Sequence, residues 1–581
     1  MTQKQNEGTM KDAYVAYVSM EIAVASEVAT YSGGLGVLAG DVIRAAADAG
    51  YPMAGVTLLY REGYFRQRLD EGGHQREEPQ TWRPEDALER LPVAITVQIS
   101  GRPVVVGAWR YTVVGCDGQA VPVYFLDTDR DENDAEARSL TRRLYGGDHR
   151  YRLEQEALLG LGTVAMLHAL GEDRITTYHL NEGHAALLAL ALLEKARRAG
   201  YSAEHDLAHV RERCVFTTHT PVAAGHDRFG LDLATEVLGP ERIATLRSAG
   251  LVHDDTLNMT YLALRATRFA NAVAMRHGEV ARTMFAGFRI DAITNGVHGA
   301  TWTSGPFRDL FDRRIPGWRR DNFTLRQAIG IPLGEIASAH DAAKRELFGR
   351  IEHANGRRLD PQRFTIGCAR RSTAYKRNDL ILRDRARLTA LAQRHGGLQL
   401  VFAGKAHPHD EDGKAQIARI VHTGTELAGI VDIVFVEGYD MTWGGALTAG
   451  VDLWLNTPRP PLEASGTSGM KAALNGVPSL SVVDGWWVEG AIDGVTGWSI
   501  DAATGDDDGW AAHQLYDQLE QHILPAYTKD RDAYLEVMRA AIAFNGSHFN
   551  AQRMLAEYAI AAYDPTANDA VGVPENELLA G

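Results

Sequence analysis

Three segments of the 581-residue sequence bring together residue types that do chemistry. The first, Ser32-Gly33-Gly34-Leu35-Gly36-Val37-Leu38-Ala39-Gly40, lies between a strand-like run and a helical pattern. Glycines let a backbone approach a ligand closely, and a helix start offers unpaired N–H groups and a positive dipole end to an anion. Gly34, Gly36 and Ala39 also satisfy the dinucleotide spacing GxGxxA, but no acidic residue stands at a strand end some twenty positions on. The second segment, Arg370-Arg371-Ser372-Thr373-Ala374-Tyr375-Lys376-Arg377, sets four cations directly after a strand-like run. Open α/β sheets bind ligands at that end of their strands, and fixed guanidinium and ammonium groups suit phosphate. The third, Glu463-Ala464-Ser465-Gly466-Thr467-Ser468-Gly469-Met470-Lys471 and onward to Gly476, opens a helix with small and hydroxylated residues that present donors to an anion. Lys471 is placed near the first turn of that helix, in an apolar stretch. A lysine so held loses pKa, and a neutral amine forms Schiff bases. Taken singly, each segment has a plainer reading: turn glycines, a solvated basic face, a surface lysine.

The elements that must position these segments alternate short β-rich runs with longer helical patterns, the signature of a parallel sheet covered on both faces. In the C-terminal half, strands are expected at Thr365–Cys368, Leu398–Ala403, Val431–Val436, Val451–Leu455 and Ser479–Val483, with helices at Asp379–Arg394 and Gly413–Leu427. The N-terminal half repeats the style with strands at Val15–Ser19 and Thr176–Leu180 and helices at Asp41–Ala49 and His184–Arg198. It also carries three segments with Gly-containing turns, Val93–Ile99, Pro103–Arg110 and Val121–Leu126, which read as an antiparallel insertion. Gly299–Pro332, rich in Gly, Pro, Trp and Arg and without clean periodicity, is placed as a hinge. The expected fold is α/β, with two Rossmann-like doubly wound domains facing a central cleft. Residues 1–310 are expected to form the N-terminal domain with its β-rich insertion, residues 311–550 the C-terminal domain, and residues 551–581 a C-terminal helix and mobile tail.

The third segment, followed by Val483-Asp484-Gly485 and Val488-Glu489, closely resembles the pyridoxal-phosphate attachment region of the α-glucan phosphorylases, the glycogen, starch and maltodextrin phosphorylase family. Other motifs fall in the family's order: Gly33-Gly34-Leu35-Gly36, Leu180-Asn181-Glu182-Gly183-His184, Thr217-Thr218-His219-Thr220, Asn295-Gly296-Val297, Arg371 to Arg377, Gly404-Lys405-Ala406 and Glu437-Gly438-Tyr439. The resemblance runs over about residues 14 to 500. It implies a glycosyltransferase-B fold of the compact prokaryotic type, with pyridoxal 5′-phosphate attached to Lys471. The activity implied is reversible phosphorolysis of a terminal α-1,4-linked glucose to α-glucose 1-phosphate with retention, the cofactor phosphate relaying a proton. By position, Arg371 and Lys376 clamp inorganic phosphate. Arg370, Thr467 and Ser468 hold the cofactor phosphate, with Tyr439 near the cofactor. Gly33, Gly34 and Gly36 bring N–H groups to the substrate phosphate, and His184, Glu463, Ser465 and Gly466 hold glucose hydroxyls. The segment Tyr60-Arg61-Glu62-Gly63-Tyr64 departs from the family pattern, so no cofactor role is carried onto it.

With 60 Lys+Arg against 75 Asp+Glu, a net charge of −15 repels nucleic acid and anionic membranes. Three cysteines, Cys116, Cys214 and Cys368, are too few and too scattered for a disulfide framework and fit a reducing compartment. Met1 to Asp12 lacks the apolar core of a signal peptide, so a cytoplasmic enzyme is expected. The chain is also shorter than animal and plant phosphorylases, and phosphorylation or nucleotide control is not expected of it. No metal is assigned: His407, His409, Asp410 and Asp412 read as an exposed polar loop. The partners expected are an α-1,4-glucan or maltodextrin and inorganic phosphate or glucose 1-phosphate, with a homo-oligomer allowed. The competing readings are a nucleotide-sugar-dependent α-glucan synthase of the same fold, which needs no lysine at 471, a silent glucan-binding regulator and, last, an NAD oxidoreductase.

Overall fold

The computed structural model describes residues 14–200, 203–252, 254–501 and 508–564; the expected signal-free N-terminus and mobile C-terminal tail lie outside them. The fold is α/β, built on two large sheets. The first has nine strands in the order Asp291–Ala292, Phe269–Ala272, Cys214–Thr217, Ile175–Asn181, Tyr14–Ser19, Met53–Leu58, Ala120–Asp127, Arg102–Val114, Glu89–Ile99. Its first seven strands pair in parallel and the last two antiparallel. The three segments read as an insertion are thus an antiparallel edge of the main sheet. The second sheet has six strands, all parallel, in the order Val431–Val436, Leu398–Ala403, Phe364–Ala369, Leu453–Asn456, Ser479–Val482, Gly497–Ile500. Its strands are buried almost throughout, as expected of a parallel sheet covered on both faces.

Several elements begin or end elsewhere than the sequence pattern suggests. The helix expected from Asp41 starts at Gly34, so the glycine loop forms its first turn. The helix expected over His184–Arg198 is a 3₁₀ turn, Gly183–Ala185, followed by Leu188–Arg198. Likewise Asp379–Arg394 divides into a 3₁₀ turn, Leu380–Leu382, and a helix Arg385–Arg394 capped by Asp384. The segment placed as a hinge is largely helical, with Gly299–Trp302, Gly305–Arg314 and the 3₁₀ stretch Asn322–Gly330. Its Trp302, Phe307, Phe311 and Trp318 are buried in the core of the second sheet; Gly and Pro at the helix starts hide the period.

Two features tie the sheets together. The C-terminal helix Ala551–Tyr558 and the turn Ala559–Tyr563 return to the first sheet, where Tyr563 meets His179 Nδ1 at 2.7 Å and Asn271 donates to Tyr558 at 3.1 Å. From the other direction, the hairpin Arg66–Leu69/Gln75–Glu78 reaches the loops that follow the second sheet. Gln67 donates to the Gly404 carbonyl at 2.8 Å and accepts from Gly438 N–H at 3.0 Å. Gln75 donates to the Ala406 carbonyl and accepts from Ala406 N–H, both at 2.9 Å.

Candidate active site

In an open parallel sheet the ligand crevice forms where strand order reverses. In the second sheet that point lies between Phe364–Ala369 and Leu453–Asn456, and the chain leaving those strands carries Arg370 to Arg377 and Glu463 to Lys471. In the first sheet it lies between Tyr14–Ser19 and Ile175–Asn181, whose exits carry Glu21 and His184.

The second-sheet group centres on Glu463. Its carboxylate accepts from Lys376 Nζ at 2.7 and 2.6 Å and from Arg370 Nη2, all three side chains being buried. Burial works against ionising Glu463, and the charges of Lys376 and Arg370 outweigh it to hold the carboxyl below its ordinary value. One carboxylate facing two cations leaves a surplus of positive charge. Arg370 keeps Nε and Nη1 buried without a protein partner, as does Ser465 its Oγ. Arg371, the residue that follows Arg370, is exposed and makes no bond to Glu463; Tyr375, Tyr64 and Tyr145 lie within electrostatic reach of its guanidinium. Arg370, rather than Arg371, therefore shares a carboxylate with Lys376.

Gly466, at φ 89°, caps the helix Thr467–Leu474. A Cβ at Gly469 would lie 2.7 Å from Trp486, and one at Gly485 would lie 2.5 Å from the Ser465 carbonyl, so both glycines are required by close packing. Ser468 Oγ accepts from Trp454 Nε1 at 3.1 Å. Lys471 is the fifth residue of the helix, just past its first turn. Its Nζ is buried 3.5 Å from the centroid of Trp302, and burial lowers its pKa to about 8, with Asp41 opposing. Trp302 donates Nε1–H to Asp41 at 2.7 Å, so the helix that starts at the glycine loop reaches the lysine pocket. Tyr439 lies within electrostatic reach of Arg370 and Tyr31, its own pKa raised chiefly by burial.

At the glycine loop, Glu21 accepts from Ser32 N–H at 2.6 Å and Gly33 N–H at 3.2 Å, and a Cβ on Gly36 would fall 2.8 Å from the same carboxylate. The loop's first N–H groups are thus bound from below. Gly34 and Gly36 remain as the residues whose N–H groups open the helix. Tyr145 donates to Glu21 at 2.9 Å. His184 lies 2.6 Å from Arg152 and 3.4 Å from Asp227. Glu156, His184 and Asp227 hold their ligand-capable atoms within 4.8 Å of one another, and the Arg152 guanidinium bonds to all three. In the loop after Leu398–Ala403, Asp410 caps the following helix through Gly413 N–H at 2.8 Å.

The sequence profile of the carbohydrate phosphorylases matches residues 222–494. The chain is 36% identical to the maltodextrin phosphorylase of Thermococcus litoralis, over 97% of this chain and 72% of that one. The chain belongs to the carbohydrate phosphorylase family. Within this phosphorylase family it is also 36% identical to the glycogen phosphorylase of Mycobacterium tuberculosis, over 95% of this chain and 71% of the relative. Identity to the glycogen phosphorylase of Aquifex aeolicus is 32%, over 94% and 85%. Among the described residues no helix is long and apolar enough to cross a membrane.

Sequence reasoning missed Glu21, Tyr145, Arg152, Asp227, Trp302, Asp41 and the two hairpin glutamines of this phosphorylase. Only Arg152 left a local trace, its i,i+4 spacing to Glu156 on a helix. Lys405 belongs to one of the motifs; half-buried against Phe65, whose carbonyl accepts from Nζ at 3.0 Å, it has its pKa lowered to about 8, chiefly by desolvation.

Proposed function

We propose that the chain catalyses reversible phosphorolysis of the terminal α-1,4-linked glucose of a glucan or maltodextrin, yielding α-glucose 1-phosphate with retention. The observation that carries this reading is the buried Lys471 amine, with its pKa lowered to about 8, in the same crevice as the cation surplus around Glu463. In this reading the two sheets are the cores of Rossmann-like domains, residues 1–310 and 311–550, facing one cleft in the glycosyltransferase-B manner.

The residues present fit pyridoxal 5′-phosphate. A buried lysine poised to be neutral suits its aldehyde, and the opening turn Gly466-Thr467-Ser468 with the partnerless donors of Arg370 suits its phosphate. When bound, the group supplies a second phosphate able to give and take a proton beside the substrate phosphate. The chain's own residues do the rest. Lys376, Arg370 and Arg371 concentrate positive charge where two phosphates must approach, and charge-assisted contacts offset their repulsion. Gly34 and Gly36 let the loop's N–H groups come close to phosphate oxygens. Glu463, Ser465, Gly466 and His184 orient the glucose ring, whose cationic character rises as the glycosidic bond opens.

Borohydride reduction of protein incubated with pyridoxal phosphate, followed by peptide mass mapping, is expected to place a phosphopyridoxyl group on Lys471. The labelled protein is expected to release glucose 1-phosphate from maltodextrin and phosphate. Full-length protein that takes no label and instead transfers glucose from a nucleotide sugar would overturn the reading.

A further inference from the structure

His184 is 8% exposed, and its two ring nitrogens stand in opposite situations. Nε2 lies 2.6 Å from Arg152 Nη2. A guanidinium only donates, so a ring nitrogen at that distance must offer its lone pair. Asp227 Oδ2 also faces Nε2 but at the longer distance of 3.4 Å, so the closer guanidinium favours the imidazole proton on Nδ1, which is buried and has no partner in the protein. A buried donor left unmet is destabilising, so this N–H awaits an acceptor that the chain itself does not supply.

Arg152 is fixed from several sides. Its Nε donates to Glu156 at 2.9 Å, its Nη2 donates to Asp227 at 2.9 Å, and its guanidinium carbon stands 4.5 Å from the Tyr145 ring centroid. Burial, reinforced by the neighbouring Asp227 charge, pushes Glu156 well above the usual carboxyl range. Asp227 itself is held well below that range, its neighbours, the Arg152 guanidinium among them, outweighing its burial. The other charged or titratable groups facing His184 are Tyr145, Glu182 and His219. Tyr145 in turn holds Glu21 under the glycine loop, so one hydrogen-bonded and stacked chain runs from His184 to Ser32 and Gly33.

We propose that Arg152, clamped by Asp227, Glu156 and Tyr145, is a positioning residue that holds His184 as the neutral Nδ1–H tautomer and aims that N–H at a hydroxyl of the bound sugar. The identity of that acceptor rests on the phosphorolysis reading; the tautomer does not. A neutral donor matters here because an imidazolium would repel the positive charge that develops on the sugar in the transition state.

The full chain labelled with ¹⁵N-histidine tests the proposal, with His184 assigned by its loss in His184→Asn. A protonated Nδ1 and a bare Nε2 are expected at pH 8, with the Nδ1 resonance moving when maltodextrin is added. Arg152→Lys keeps the charge but loses the fork, so His184 is expected to lose its single tautomer and kcat/KM to fall about 100-fold. Should that variant fold poorly, the charge-balanced pair Arg152→Met with Asp227→Asn is expected to show the same loss of tautomer. A wild-type Nε2–H tautomer or imidazolium, or an Arg152→Lys protein with unchanged spectrum and kinetics, overturns the proposal. The expected tautomer and maltodextrin shift in a protein that releases no glucose 1-phosphate would support the proposal and overturn the phosphorolysis reading.

Discussion

Glu463 grips Lys376 with both carboxylate oxygens, at 2.7 and 2.6 Å, across the switch point of the six-stranded parallel sheet. The lysine arrives from the loop after Phe364–Ala369, the glutamate from the loop after Leu453–Asn456, and Arg370 binds the same carboxylate. The pair therefore joins the segment expected to bind phosphate to the one expected to bind sugar. It also preorganises two cations that would otherwise repel one another.

Glu463→Gln keeps the shape and leaves those cations uncompensated. Breaking a buried pair in this way costs roughly 3–5 kcal/mol, to be read from urea melts, and kcat/KM is expected to fall at least about 100-fold. The folded pKa of Glu463 is depressed, so its contribution is present above the unfolded value near about 4.3 and is lost as pH falls through the folded one. The variant's stability should lack that acid-side decline.

Lys471→Met tests the burial of a charge. The lysine's pKa falls from 10.5 to about 8 in the fold, so below pH 8 the cofactor-free protein carries the full cost of a buried ammonium, about 3 kcal/mol. Loss of the cation–π contact with Trp302 offsets about 1–2 kcal/mol of the gain. Cofactor-free Lys471→Met is expected to be more stable than the parent by about 1–2 kcal/mol at pH 7, while losing the reducible label and all turnover. The parent should gain stability from pH 8 to 10.5, where its unfolded chain binds more protons; the variant should not. Melting curves of both proteins across that range check the sign.

Gly404→Ala places a methyl group 1.9 Å from the Arg370 carbonyl oxygen, at φ 143°. Neither backbone segment can yield without moving Arg370 away from Glu463. A loss of roughly 3 kcal/mol or more is expected in chemical unfolding, with activity lost even in the folded fraction.

Gln75→Leu removes the amide that pairs with both the N–H and the carbonyl of Ala406 and accepts from Gln67 at 2.9 Å. Each backbone group left buried and unmet costs about 1–3 kcal/mol. Faster amide exchange is expected at residues 66–78 and 404–406, with little change in the nine-stranded sheet. Uniform acceleration across the chain would show that the hairpin has no local role.

The sequence alone determined the elements and the residues with a local physical reason to stand out. The buried parallel strands announce themselves as short apolar runs, and Lys471 as one charge in an apolar helix. Gly466 stands in the sequence where a left-handed backbone starts a helix, and Gly469 and Gly485 where close packing leaves no room for a Cβ. The start of the helix at Gly34 was obscured because glycine is a poor helix former. The helices within residues 299–332 were hidden by the same kind of signal, Gly and Pro marking helix starts rather than a loop. Only the tertiary structure decided which of two adjacent arginines, 370 or 371, meets Glu463, because that depends on the orientation of the chain as it leaves a strand. It alone brought Glu21 beneath the glycine loop, Asp41 to Trp302, Arg152 and Asp227 to His184, and Gln67 across 337 positions to Gly404. Such contacts join ends of different strands and leave no period in the sequence. Periodicity reports the face a residue buries; the groups gathered at the crevice are set by the order in which the strands assemble.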